Sequence, residues 1–276
     1  MNKTLIKLST MIVMLLMLVS CAHLRTDSSS SMVSENDICP VDMPEYNPTP
    51  AQVEKDKILS LLAYAVVLKD WQQSKSESRG YNIGSVLVDE NDNIVCWARN
   101  SVNITKNNTQ HGEVRLMLNY LNNVSDVFSL PAYKLYTTLE PCAMCSGMMT
   151  LNKLYLTVYG QKDHGYGDAI QRLELDSTSC GGFSPYPRSV ISVITQADVP
   201  EMLDKAYLNS GISSITEWLA TDQAKEIFNY AAQELGSYKP QYPENKEILQ
   251  KALAFLQGVP EKFAGFLYDV SCPVTN

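Results

Sequence analysis

Three things are scarce in this chain of 276 residues, and each scarcity removes a class of answer. Histidine occurs only at His23, His111 and His164, so few imidazoles are on hand to build a metal site. Basic residues never gather into a run: 22 Lys and Arg stand against 30 Asp and Glu, a net charge of −8. Proteins that grip nucleic acid through its phosphates usually show a basic patch or stripe. That mode of recognition is therefore disfavoured, although a groove assembled from distant residues stays open. Long apolar runs are missing too. The apolar stretch at residues 11–19 is well short of the roughly 20 residues that span a bilayer.

That short stretch has another use. Lys3 and Lys7 precede it, and it ends in Leu18-Val19-Ser20-Cys21, the layout of a cleavable export signal. The ending resembles a bacterial lipoprotein box, which implies cleavage after residue 20 and lipid on Cys21. The expected location is extracytoplasmic, lipid-anchored to a bacterial membrane; an ordinary secretory signal is the other reading. Both lysines fall within the leader, so the remainder is more acidic still. Residues 21–48 contain four consecutive serines and several prolines with little apolar periodicity, and read as a flexible tether.

Seven cysteines remain to be placed. Cys142 and Cys145 form a Cys-x-x-Cys pair behind Pro141, and His111-Gly112-Glu113 lies upstream. One imidazole and two thiolates leave a tetrahedral zinc one free position, the arrangement of a catalytic rather than a structural site. A structural site would need a fourth Cys or His at matching spacing, and a thioredoxin-like dithiol would need no upstream His-x-Glu. His111 and Cys142 both stand where a helix is expected to begin, over 111–122 and 142–152, and helix N-termini favour anionic groups. Glu113 carries a carboxylate near the ligands without being one, a position suited to proton transfer. Cys96 reads as a free buried thiol in a strand. Cys39, Cys180 and Cys272 lie in loop-like or terminal stretches, where an exported chain could form a disulfide; Cys39 with Cys272 is slightly preferred because it would pin both ends. His164 reads as a solvated or hydrogen-bonded loop residue.

From residues 81 to 160 the chain resembles the cytidine deaminase-like superfamily, most closely its tRNA adenosine deaminase and guanine deaminase branch. The resemblance rests on Ile83-Gly84-Ser85-Val86, on Cys96-Trp97-Ala98-Arg99-Asn100, on His111-Gly112-Glu113 and above all on Leu139-Glu140-Pro141-Cys142-Ala143-Met144-Cys145. The combination His-x-Glu and Pro-Cys-x-x-Cys is the signature of zinc-dependent nucleobase deaminases. The resemblance implies a zinc ion on His111, Cys142 and Cys145, hydrolytic attack on an amino-bearing ring carbon by zinc hydroxide, Glu113 as proton shuttle, and release of ammonia. It also implies substrate contacts from Asn100, Ile83, Gly112 and Pro141; turn chemistry alone offers a second reading of Asn100 as a cap or turn residue. The chain departs from the pattern at Asn82, where the family often has Pro, at Gly112, where it often has Ala, and at Asn108-Thr109-Gln110 before the histidine. The stretch 101–110 holds one Lys and no Arg, unlike the basic loop of tRNA-acting members.

The implied fold is an α/β three-layer sandwich with a mixed five-stranded sheet. Expected elements are a helix over 49–73, strands at 81–89, 93–98, 133–138, 154–159 and 188–195, and helices near 169–175 and 200–209. Beyond residue 210 amphipathic stripes predict a helical extension, 211–276, with a last helix near 260–268; plain packing on the core is its expected role. The zinc domain is expected over 49–210. The favoured substrate is a small nucleobase or nucleoside, purine type ahead of cytosine type. Two alternatives stand beside it: deamination within tRNA or another single-stranded nucleic acid, and a non-catalytic zinc-stabilised surface module. A second copy of the chain is a candidate partner.

Overall fold

The computed structural model describes residues 45–124, 126–261 and 270–271. The leader, Cys21, Cys39, Cys272 and nearly all of the helix expected at 260–268 lie outside them. Helix α1 (Pro50–Leu68) opens on Thr49, whose hydroxyl accepts from the Gln52 N–H, with proline at the first helical position. Strands β1 (Gly84–Val88) and β2 (Ile94–Arg99) form a hairpin, and its turn is held by the Asp89 carboxylate accepting from the Asn91 and Asn93 N–H groups. After β2 come α2 (Val102–Thr105), α3 (Gly112–Asn123), β3 (Lys134–Leu139), α4 (Ala143–Leu151), β4 (Leu156–Gln161), α5 (Ala169–Glu174), β5 (Ile191–Ile194) and α6 (Val199–Ser210). Helices α7 (Ile215–Trp218), α8 (Asp222–Ser237) and α9 (Asn245–Gln257) follow, and β6 (Val270–Ser271) pairs with β2.

The sheet order is β5-β4-β3-β1-β2-β6. Strands β3, β4 and β5 are parallel, and the remaining pairings are antiparallel. The expected five strands are present in a mixed sheet, with the two-residue β6 added at one edge. Side chains of successive strand residues go to opposite faces. Val86, Val88, Trp97, Tyr136 and Val158 pack into one core with α1, α6, α8 and α9, while Leu87, Cys96, Ala98 and Leu135 pack into a second with α3 and α4. That is the three-layer α/β arrangement. Helices α8 and α9 lie against α1 and share its core. Buried Glu54 ties them to it, accepting from the Gln241 and Tyr242 N–H groups at 2.6 and 3.1 Å and from Asn245 Nδ2 at 2.8 Å.

Three expectations need correction. Helix α1 ends at Leu68 rather than residue 73, because side chains of the next loop claim the backbone there: Gln72 N–H donates to Asn82 Oδ1, and Arg79 donates to the Asp70 carboxylate. The stretch 101–110 is not all loop; it contains α2, stopped at Lys106 in the left-handed conformation (φ 50°). Cys96 is not a free thiol but disulfide-bonded, as is Cys180. Among the described residues no helix is long and apolar enough to cross a membrane.

Candidate metal centre and its cavity

In this sheet the carboxyl ends of β3 and β4, the amino end of β1 and the carboxyl end of β2 all meet at one edge, fixed by the registers Ser85 with Thr137 and Gly84 with Arg99. Crevices at the carboxyl ends of parallel strands are where α/β sheets bind ligands. His111 is the N-cap of α3, and Cys142 is the N-cap of α4, with Cys145 one turn on. Two helix N-termini therefore converge there, with their free N–H groups and partial positive charge.

The three side chains come together. Cys142 Sγ lies 3.7 Å from Cys145 Sγ, and His111 Nδ1 lies 3.7 and 3.5 Å from the two sulfurs. A tetrahedral zinc with bonds of about 2.3 Å to sulfur and about 2.0 Å to nitrogen sets sulfur atoms about 3.8 Å apart and sulfur and nitrogen about 3.6 Å apart. The residues fit the ion. The sulfurs also titrate as a pair: the hydrogen bond from Cys145 holds Cys142 down at about 4, and the same bond, with burial, pushes Cys145 well above its ordinary value. A thiolate beside an imidazole is donor chemistry suited to zinc.

Glu113, in the first turn of α3, is 3% exposed. Thr137 Oγ1 donates to its Oε1 at 3.4 Å, while Oε2 has no partner among the described residues. Burial pushes this carboxyl up from its ordinary value. A buried carboxylate oxygen left open beside three ligand atoms is costly unless something occupies the space it faces.

A cavity of about 620 Å³ opens over these groups, lined by His111, Glu113 and Cys142 at its base and by Ile83 on one side. Asn100, Gly112 and Pro141 are not among the described residues lining it. Asn100 is fully buried; its Oδ1 accepts from the Tyr81 and Val102 N–H groups, and its Nδ2 has no partner among the described residues. The oxygen thus organises the turn, in keeping with the turn reading of Asn100. Gly112 packs on the sheet, where a Cβ would meet the Ala98 carbonyl at 3.1 Å, so alanine at this position needs a small shift. Pro141 is buried, and its carbonyl accepts from Ser146 Oγ at 3.2 Å.

Other residues at the site carried no flag in the sequence. Glu140 accepts from the Asp163 and Asp168 N–H groups at 3.1 and 2.9 Å, pinning the loop after β4 so that Asp163 and Tyr166 reach the cavity. Its place within the Leu-Glu-Pro-Cys run was the available signal. Lys75, Tyr207 and residues 213–216 complete the wall, and nothing in their local pattern announced it. His164, half exposed, has Nε2 3.7 Å from the Asp204 carboxylate.

An open sheet edge with two helix N-termini, three ligand atoms at zinc spacing and a buried carboxylate with one open oxygen make a site suited to a single zinc ion. Residues 57–161 match the family described as the cytidine and deoxycytidylate deaminase zinc-binding region. A tRNA-specific adenosine deaminase of Rickettsia felis is 30% identical over 104 residues, 37% of this chain and 72% of that protein. A probable cytosine deaminase of Schizosaccharomyces pombe is 30% identical over 142 residues, 49% of this chain and 83% of that protein. This chain belongs to that family of zinc-dependent deaminases. A tRNA-specific adenosine deaminase of Haemophilus influenzae is 31% identical over 118 residues, 42% of this chain; the match spans 65% of that relative and 51% of a Xenopus laevis one.

Proposed function

We propose that the protein is a zinc-dependent hydrolytic deaminase of a small nucleobase or nucleoside, with purines favoured. The observation that carries the reading is the open oxygen of buried Glu113 beside a His-Cys-Cys set at tetrahedral spacing. His111, Cys142 and Cys145 hold the ion. When bound, zinc acidifies water and polarises the reacting centre. Glu113 takes a proton from the attacking water and delivers it to the departing amino group, which leaves as ammonia. Thr137 steadies the carboxylate through Oε1 and leaves Oε2 free for this exchange. The unengaged Asn100 Nδ2 is the donor assigned to an acceptor on the substrate, and Ile83 packs against the ring.

The preference for purines draws on the Leu-Glu-Pro-Cys-x-Met-Cys wording and on relatives named for adenosine, while one relative named for cytosine keeps pyrimidines in the test set. A second reading, action on a base within tRNA, is favoured by the names of several relatives and opposed by the net charge of −8. Location follows the same footing: a lipid-anchored, extracytoplasmic protein, with Cys21 carrying lipid. Two disulfide-bonded cysteines, Cys96 and Cys180, support an oxidising compartment. Ammonia release from a panel of nucleobases, nucleosides and oligonucleotides tests the function. Zinc-loaded protein that releases none from any of them favours the non-catalytic surface module instead.

A further inference from the structure

His111, Glu113 and Cys142 lie inside the family match, 57–161, but eight of the lining residues lie beyond it. Tyr207 at the end of α6 and residues 213–216 leading into α7 line the same cavity as His111 and Cys142. This wall is built in rather than draped over. Trp218 and Leu219 are buried, and Asn82 Nδ2 donates to the Leu219 carbonyl at 2.9 Å while also holding the Gln72 carbonyl. Tyr207 donates to the Ser213 carbonyl at 2.9 Å, and its ring packs on Trp218 at 5.6 Å.

Lys75 also lines the cavity. Its Nζ donates to Ser214 Oγ at 3.1 Å and pairs with Glu217 Oε1 at 3.3 Å. Asn103 fixes the Lys75 loop by donating to the Lys75 carbonyl and to Ser78 Oγ. The result is a cross-tie between two segments 139 residues apart in sequence.

Resting on the deaminase reading, we propose that this tie and wall set the substrate class: a detached, uncharged nucleobase or nucleoside is admitted, and a base still joined into a strand is excluded. A base in a strand carries backbone on both sides and must be splayed into its pocket from an open groove. Here the tie occupies one flank. Lys75 is the one Lys or Arg among the described lining residues, and Glu217 already engages it, while Glu113, Glu140 and Asp163 line the same space. Phosphates therefore meet carboxylates and an occupied cation. A free nucleoside brings no phosphate and needs room for one base and one sugar, within the range of ordinary small-molecule sites.

The test compares kcat and KM for adenosine, guanosine and cytidine, their 5′-monophosphates, their dinucleotides and a single-stranded DNA of about twelve nucleotides, using full-length zinc-loaded protein. Wild type is expected to favour the best nucleoside over its strand by about a hundredfold or more in kcat/KM. Lys75→Ala should raise nucleoside KM about fivefold with a much smaller change in kcat, and narrow the gap to the dinucleotide about tenfold. Glu217→Gln, on an exposed side chain, loosens the tie without emptying the wall and should narrow the gap in the same direction. A wild type that processes strand and nucleoside equally, or variants that leave both ratios unmoved, overturns the proposal. If no compound yields ammonia, the deaminase reading falls separately, and calorimetric binding of the same compounds decides the wall. Nucleoside binding with the strand excluded upholds it; equal binding, or none, overturns it.

Discussion

Replacing Glu113 with glutamine separates the metal from the chemistry. The three clustered ligand atoms are those of His111, Cys142 and Cys145, so the variant should keep about one zinc per chain. Glutamine matches the carboxylate in size, and its carbonyl can still accept from Thr137. Folding stability should therefore change by no more than about 1 kcal/mol. Proton transfer has no such substitute. Loss of a positioned acid-base group costs about 10²–10⁴ in rate, or roughly 3–5 kcal/mol of transition-state stabilisation. The assay is steady-state ammonia release from the best panel substrate, beside elemental zinc analysis and a melting curve. Retained zinc and melting temperature with kcat down at least about a hundredfold supports the role. Turnover within about tenfold of wild type refutes it, and zinc lost along with activity would make Glu113 a ligand instead.

Four further outcomes follow from the structure. Glu54→Ala removes three hydrogen bonds to α9 and the segment before it, and should cost about 2–4 kcal/mol, read as a lower melting temperature. Burial opposes the Glu54 charge, but Asn245, Gln241 and Tyr242 together hold its pKa below the ordinary 4.5. Its contribution is thus whole above that value and is lost as pH falls through the folded one, and Glu54→Gln should flatten the acid limb of a stability-pH curve. Gly160→Ala places a Cβ 2.0 Å from the buried Tyr64 hydroxyl and 2.7 Å from the Thr138 carbonyl; it should destabilise by about 1–3 kcal/mol or more, with Tyr64→Phe recovering part of the loss. After chelation, a mild disulfide oxidant should consume two thiols at Cys142 and Cys145 and block zinc reloading until reduction, while the loaded protein is protected. Equal oxidation rates with and without zinc would argue against a shared ion.

Short-range chemistry was readable where it is self-contained. The start of α1 near Thr49, the five strands and the two metal half-motifs are local patterns, and they appear where the residues put them. Boundaries slipped where a distant side chain intervened, as at Leu68, where Asn82 and Arg79 take over the backbone and carboxylate of residues just beyond. Cys96 was misread for a related reason: burial in a strand and a disulfide are compatible, and the bonding partner of a cysteine is a fact of three-dimensional proximity.

The sequence by itself carried the His-Cys-Cys donor set and the carboxylate beside it, because spacings of a few residues are written along the chain, and its family resemblance implied the layered α/β architecture. Only the tertiary structure decided what encloses that chemistry. Lys75 meets Ser214, Tyr207 meets Ser213 and Glu140 pins the loop of Asp163 through contacts that no local pattern encodes. The space above the ligands takes its shape only once Tyr207 and residues 213–216 have been folded back to it.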